Sequence, residues 1–86
     1  MRGTDFEAGI AMEECAELIQ AISKVRRYGF VGKYKDNLLE EIADVDIVLT
    51  ELTMIFDIEG EEFYSVLDRK VQRIKERLEE SKDKRL

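Results

Sequence analysis

No proline interrupts the 86 residues of this chain. Proline is the residue that most reliably ends a helix, so its absence leaves only glycine and turn chemistry to punctuate long helical runs. Hydrophobic residues make up 44% and charged residues 40%, too apolar for disorder and too poor in turn formers for a β fold. The expected fold class is all-α. Eighty-six residues hold one core at most, so 1–86 reads as a single domain. A domain this short buries a small share of its surface, and a single cysteine, Cys15, with no histidine supplies neither a disulfide nor a metal-finger spacing. The expected architecture is therefore a helical bundle completed by oligomerisation, as a homodimer or a tetramer.

Charge narrows the partners. A net charge of −6 disfavours nucleic acid and anionic membrane as partners. Met1 to Ile10 has no apolar leader-like region, and no segment approaches the roughly 20 apolar residues that cross a bilayer. With one unpaired thiol, the expectation is a soluble protein in a cytoplasmic setting. Acids that hold divalent cations invert the local field, so the placement of the acids matters more than their total.

Thr4 with Glu7 three residues later fits a capping box, which opens a first helix expected to run to about Arg27. Tyr28 to Lys35 holds two glycines, three aromatics and no helical period, and reads as a loop. A second helix is expected from Asp36 or Asn37 to about Phe56, through Leu38, Ile42, Val45, Leu49 and Leu52. After a turn near Asp57 to Gly60, Phe63, Leu67, Val71, Ile74 and Leu78 alternate four and three residues apart, the seam of a third helix that wants another helix against it. Glu79 to Leu86 alternates in charge and is expected to fray.

At about 100° per residue, the apolar arc of the first helix contains Ala8, Ala11, Cys15, Leu18, Ile19, Ile22 and Val25. Glu14 falls at its edge and Glu17 one turn further along the same side, while Glu13 points outward. On the second helix Glu41 lies within the arc of Val45, Val48, Leu52 and Ile55, with Asp44 about 60° outside it. An ionised carboxylate buried without a partner is strongly unfavourable, so acids in such places pair with cations or bind metal. Glu14/Glu17 and Glu41/Asp44 are each three apart, roughly 5–6 Å between Cβ atoms, and antiparallel packing brings the two pairs together. An all-oxygen set suits a hard cation, Mg²⁺ or Mn²⁺, and Mg²⁺ with open water positions implies phosphate chemistry.

Glu13-Glu14-x-x-Glu17 followed by Glu41-x-x-Asp44 resembles the Glu-Glu-x-x-Glu and Glu-x-x-Asp motifs of MazG-like all-α nucleoside triphosphate pyrophosphatases. The resemblance covers about residues 4 to 80. It implies Mg²⁺ ligation by Glu14, Glu17, Glu41 and Asp44, and hydrolysis of a nucleoside triphosphate to the monophosphate and pyrophosphate, with Glu13 or Glu14 holding the attacking water. Phosphate contacts are expected from the basic stretch 24–35, chiefly Lys24 and Arg27, or from Lys70 and Arg73 of the third helix or a partner subunit. Tyr28, Phe30 and Tyr34 are candidates to stack on the base, although anchoring the loop against the core is their plainer role. Relatives with narrow substrate choice carry extra helices around the base and this chain has none, which leaves the nucleotide open.

Plainer readings stand beside these. A Glu-x-x-Glu on one helix is ordinarily a solvated face, and Cys15 is expected as a buried small hydrophobe. The rival function is a non-enzymatic helical dimerisation or interaction protein, or a regulator that binds nucleotide without cleaving it. A di-iron bundle is disfavoured because it uses Glu-x-x-His and the chain has no histidine.

Overall fold

The computed structural model describes the backbone of residues 3–84 and the side chains of residues 3–81. Three helices make up the described chain, α1 (Thr4–Tyr28), α2 (Gly32–Ile55) and α3 (Gly60–Lys84), with no strand among the described residues. None of the three is long and apolar enough to cross a membrane.

The helix ends differ from those expected, each for a local reason. The N-cap of α1 is Gly3 rather than Thr4: Gly3 takes the extended backbone, no side chain caps the helix, and Glu7 N–H donates to the Gly3 carbonyl at 3.1 Å. The expected loop from Tyr28 to Lys35 shrinks to three residues, 29–31, and α2 starts at Gly32 instead of Asp36 or Asn37. Gly29 (φ 96°) and Gly32 (φ 51°) adopt the left-handed backbone open to glycine, which folds the turn tightly enough for helix to resume at once. Val31, extended, acts as N-cap, and its carbonyl accepts from Tyr34 and Lys35. Tyr28 and Tyr34 stack across this turn with ring centroids 4.7 Å apart. At the other end, α3 stays helical through Glu79 and Glu80 to Lys84 where fraying was expected, with acids preceding Lys82 and Lys84 at helical spacing; Arg85 and Leu86 lie outside the described residues.

A three-residue turn makes α1 and α2 an antiparallel hairpin. The pairing of residues follows: Tyr28 meets Tyr34 at the turn, Glu14 meets Glu41 and Asp44 midway, and Glu7 and Ile10 lie with Val48 and Glu51 at the open end. The buried apolar residues are few and small, Ala11 (5% exposed), Ala21 (1%) and Val48 (6%). Alanine at the crossing lets the two backbones approach closely, which brings the side chains on either side of the crossing within reach of each other.

The third helix stands apart. No described residue of α3 has a Cα within 8 Å of one in α1 or α2. The molecule is flat and extended, measuring 56 × 39 × 15 Å. Its radius of gyration, 17.0 Å, exceeds the roughly 12 Å of a compact domain of this length. Cys15, expected to be buried, is exposed, as are Ile19 (67%) and Ile22 (43%) of the same arc, because that side of α1 faces away from α2. The hairpin thus meets itself along one stripe and leaves an apolar face open.

Replacing Ala21 by leucine should wedge the helices apart and cost about 1–3 kcal/mol in urea unfolding; an unchanged midpoint would show that the crossing is not close-packed there.

Candidate metal centre

Midway along the hairpin one oxygen each from Glu14, Glu41 and Asp44 lies within 4.8 Å of the other two. Glu14 comes from α1 and the other two from successive turns of α2, so the group exists only because the helices cross here. A hard cation held at about 2.1 Å spreads its oxygen ligands over about 3–4 Å, a span this group can close with small side-chain rotations. Glu17, expected in the same set, stands beside it: it lies outside the three-oxygen group but is close enough to Glu14 and Glu41 to act on both, and it shares a side-chain hydrogen bond with Glu41. Glu13 is exposed on the outer side, next to Glu14.

As whole residues Glu14 and Glu41 are only half-buried, yet in each the Oε2 atom is shut off from solvent and has no hydrogen-bond partner. Loss of hydration is accordingly the main force raising the Glu14 carboxyl above the usual carboxylate range, followed by the charges of Glu17, Asp44 and Glu13. Glu41 is raised for the same first reason, then by Glu17, Asp44 and Glu14, and last by its hydrogen bond with Glu17. No cation of the neighbourhood relieves this in sequence terms: residues 3–23 and 36–59 contain 13 acids and not one lysine or arginine. Two shielded, unpartnered carboxylate oxygens facing a third carboxylate form an all-oxygen donor set whose chemistry suits a hard divalent cation.

Toward the turn, Lys24, Tyr28, Lys33, Tyr34 and Asn37 line a recess. On α1 Lys24 is seven residues, two turns, beyond Glu17, and on α2 Asn37 is one turn before Glu41, so the recess opens on the same side of the hairpin as the carboxylates, about 10 Å along it. Of the expected phosphate ligands, Lys24 is in this recess. Arg27 instead sits 5.9 Å over the Tyr28 ring. Lys70 and Arg73 lie on α3, apart from the hairpin within one chain. Of the aromatics, Tyr28 and Tyr34 reach the recess but stack on each other, which occupies one face of each ring. Phe30 is 52% exposed with the Lys35 ammonium 5.5 Å from its ring centroid, and does not join them.

No family model, curated protein or solved structure matches the chain. What the site can do rests on its own chemistry: a carboxylate cluster able to hold a divalent cation, with ammonium groups and an amide one to two turns away on the same face. Lys33 and Asn37 are the additions to the residues expected from sequence. Their signal is the four-residue stripe Lys33, Asn37, Glu41, which becomes visible only once α2 is started at Gly32.

Because Glu14 and Glu41 hold their protons more tightly when folded than when unfolded, their ionisation opposes folding. In chelator, the thermal midpoint should rise as pH falls from neutral toward the ordinary carboxylate value of 4.5, since the folded state gains protons before the unfolded state does. Glu41→Gln should flatten that rise, and a profile as steep as the native one would remove the cluster as its cause.

Proposed function

We propose that the chain is a Mg²⁺-dependent nucleoside triphosphate pyrophosphohydrolase of the MazG-like kind, acting as a homo-oligomer on nucleotides of the cellular pool. The observation that carries this reading is the pair of solvent-shielded, unpartnered oxygens of Glu14 and Glu41 facing Asp44. The order of motifs supports it, since those residues occupy the matching positions of Glu-Glu-x-x-Glu and Glu-x-x-Asp.

In this reading Glu14, Glu41 and Asp44 hold Mg²⁺ directly, with Glu17 completing or orienting the set through its hydrogen bond to Glu41. Mn²⁺ is an accepted substitute for the same oxygen donors. Bound there, the ion supplies neutralisation of the phosphate charge and lowers the pKa of a coordinated water. Glu13, exposed beside Glu14, accepts the proton of the attacking water. Lys24 and Lys33 neutralise the phosphate chain from the recess, where two ammonium groups act on an anion that the net charge of the chain otherwise repels. Arg27 and Lys33 stand over the rings of Tyr28 and Tyr34, so the base meets the stack at its ring edges, beside the Asn37 amide, which offers both a donor and an acceptor. With α3 apart from the hairpin, no further helix of the described chain walls the base, which favours broad nucleotide tolerance.

The reading is tested by pyrophosphate release from a panel of canonical and modified NTPs and dNTPs with Mg²⁺, with Mn²⁺ and with chelator. Metal-dependent release is expected. Glu41→Ala and Asp44→Ala should each lower it by more than about a hundredfold, the upper end for loss of outer-shell support and thus a floor for loss of a ligand, with helical content retained. Full activity in both variants would remove the site; no release from any nucleotide would favour the interaction-protein reading, to which the uncovered seam of α3 also lends itself.

A further inference from the structure

The recess takes Lys24, Lys33 and two tyrosines from the stretch 24–35 and leaves the end of the hairpin unexplained. That stretch holds five bases and no acid, all five bases are exposed, and none of them forms an ion pair among the described residues. Each of its three aromatics carries a cation 5.4 to 5.9 Å from the ring centroid: Arg27 over Tyr28, Lys33 over Tyr34 and Lys35 over Phe30. Arg26 and Lys35 stand two residues, about 200° of helix, from Tyr28 and Lys33, so the cations ring the hairpin end instead of lining one face. Phe30 is the middle residue of the turn and 52% exposed, and unlike the tyrosines it has no second ring packed on it among the described residues. Nothing obstructs this end, because α3 is joined at the opposite end of the hairpin and stays apart from it.

Cations alone suit any polyanion. Cations interleaved with rings suit a polyanion whose charges alternate with flat aromatic groups, which is a nucleic acid single strand: phosphates meet the ammonium and guanidinium groups while unstacked bases meet the rings. A duplex hides its base faces, and an acidic peptide has no use for the rings. The net charge of −6 speaks against nucleic acid for the chain as a whole, but residues 24–35 alone carry five positive charges. The acidic helices behind them repel a strand laid along the hairpin, so the strand is held end-on. We propose that the hairpin end binds single-stranded RNA and that the carboxylate centre acts on the 5′-triphosphate terminus of the bound strand. The triphosphate lies between the carboxylates and the recess lysines, the first base sits in the recess, and the nucleotides that follow pass over Phe30 between Arg26 and Lys35. In the reaction a water oxygen bonds to the α-phosphorus and the bond from that phosphorus to the bridging oxygen breaks. Pyrophosphate leaves with the electron pair, the proton of the water passes to Glu13, and the strand keeps a 5′-monophosphate. The cleavage rests on the proposed function; the binding does not.

Fluorescence anisotropy of a 3′-labelled RNA octamer with a 5′-hydroxyl, titrated with the full chain in chelator, tests the binding surface without the metal centre. The octamer should bind, with log affinity falling linearly in log salt. Phe30→Ala should weaken binding about tenfold at an unchanged salt slope, as loss of one stacked base does. Arg26→Ala should lower the slope by about 0.7, the share of one phosphate contact on a single strand, and Lys75→Ala on α3 should do neither. Absence of binding would overturn the proposal, as would a Lys75→Ala loss equal to that of Arg26→Ala, or a polyglutamate peptide bound as tightly as the octamer. Pyrophosphate release from the 5′-triphosphorylated octamer with Mg²⁺ then tests the terminus. Release from free nucleotides but not from the octamer would overturn the terminus and leave the proposed function standing, whereas release from neither would overturn both.

Discussion

The close crossing of α1 and α2 over Ala11, Ala21 and Val48 is the constraint on which the remainder depends. Alanines contribute little apolar area, so the contact is weak as a core. What it supplies is proximity. Two backbones that approach this closely force the residues flanking the crossing together, and on one flank those residues are Glu14, Glu41 and Asp44. A crossing built on leucines would be more stable and would hold the carboxylates too far apart to share one ion. The hairpin gives up core in order to define a site.

Its two sides then make opposite demands. On one side the shielded oxygens of Glu14 and Glu41 lack a partner and raise the free energy of the cation-free chain; on the other, Met12 and Ile19 stand more than 65% exposed over the groove. Neither deficit is repaired by α3, which stays apart from α1 and α2. A cation on the carboxylate side, as proposed, would relieve the first deficit without touching the second. Bound to the native state alone, it adds stability by mass action.

Much of this was legible in the residues. The absence of proline and the four-three spacing from Leu67 to Leu78 give long helices directly, and the projection of Glu14 and Glu41 onto apolar arcs identifies the two acids that the structure shields. What was not legible depended on the turn. Asp36 and Asn37 are good N-caps by residue type, but Gly29 and Gly32 take left-handed backbone and let α2 begin four residues before Asp36, where a bare backbone carbonyl at Val31 suffices. That shift puts Lys33 and Asn37 on the site's face and turns Tyr28 and Tyr34 toward each other. Cys15 was misread because an apolar arc was equated with burial; in a chain too short for its own core, half of such an arc faces a surface that one copy does not cover. Lys70 and Arg73, expected as phosphate contacts, lie on α3, apart from the carboxylates within one chain.

Charge segregation ties these points together. The bases of the described chain occupy only two segments, the stretch 24–35 and α3, and residues 36–59 between them hold acids without a lysine or arginine. Within one chain the turn bases are about 10 Å from the carboxylates, close enough to act on an anion bound there and too far to form ion pairs with the acids themselves, and the field of charges at that range is cut strongly by salt. The shielded oxygens of Glu14 and Glu41 are thus left without a partner by spacing rather than by want of basic residues. A helix that kept Lys24 one turn closer to Glu17 would neutralise the cluster, relieve the strain on Glu14 and Glu41, and remove the reason for a cation to bind.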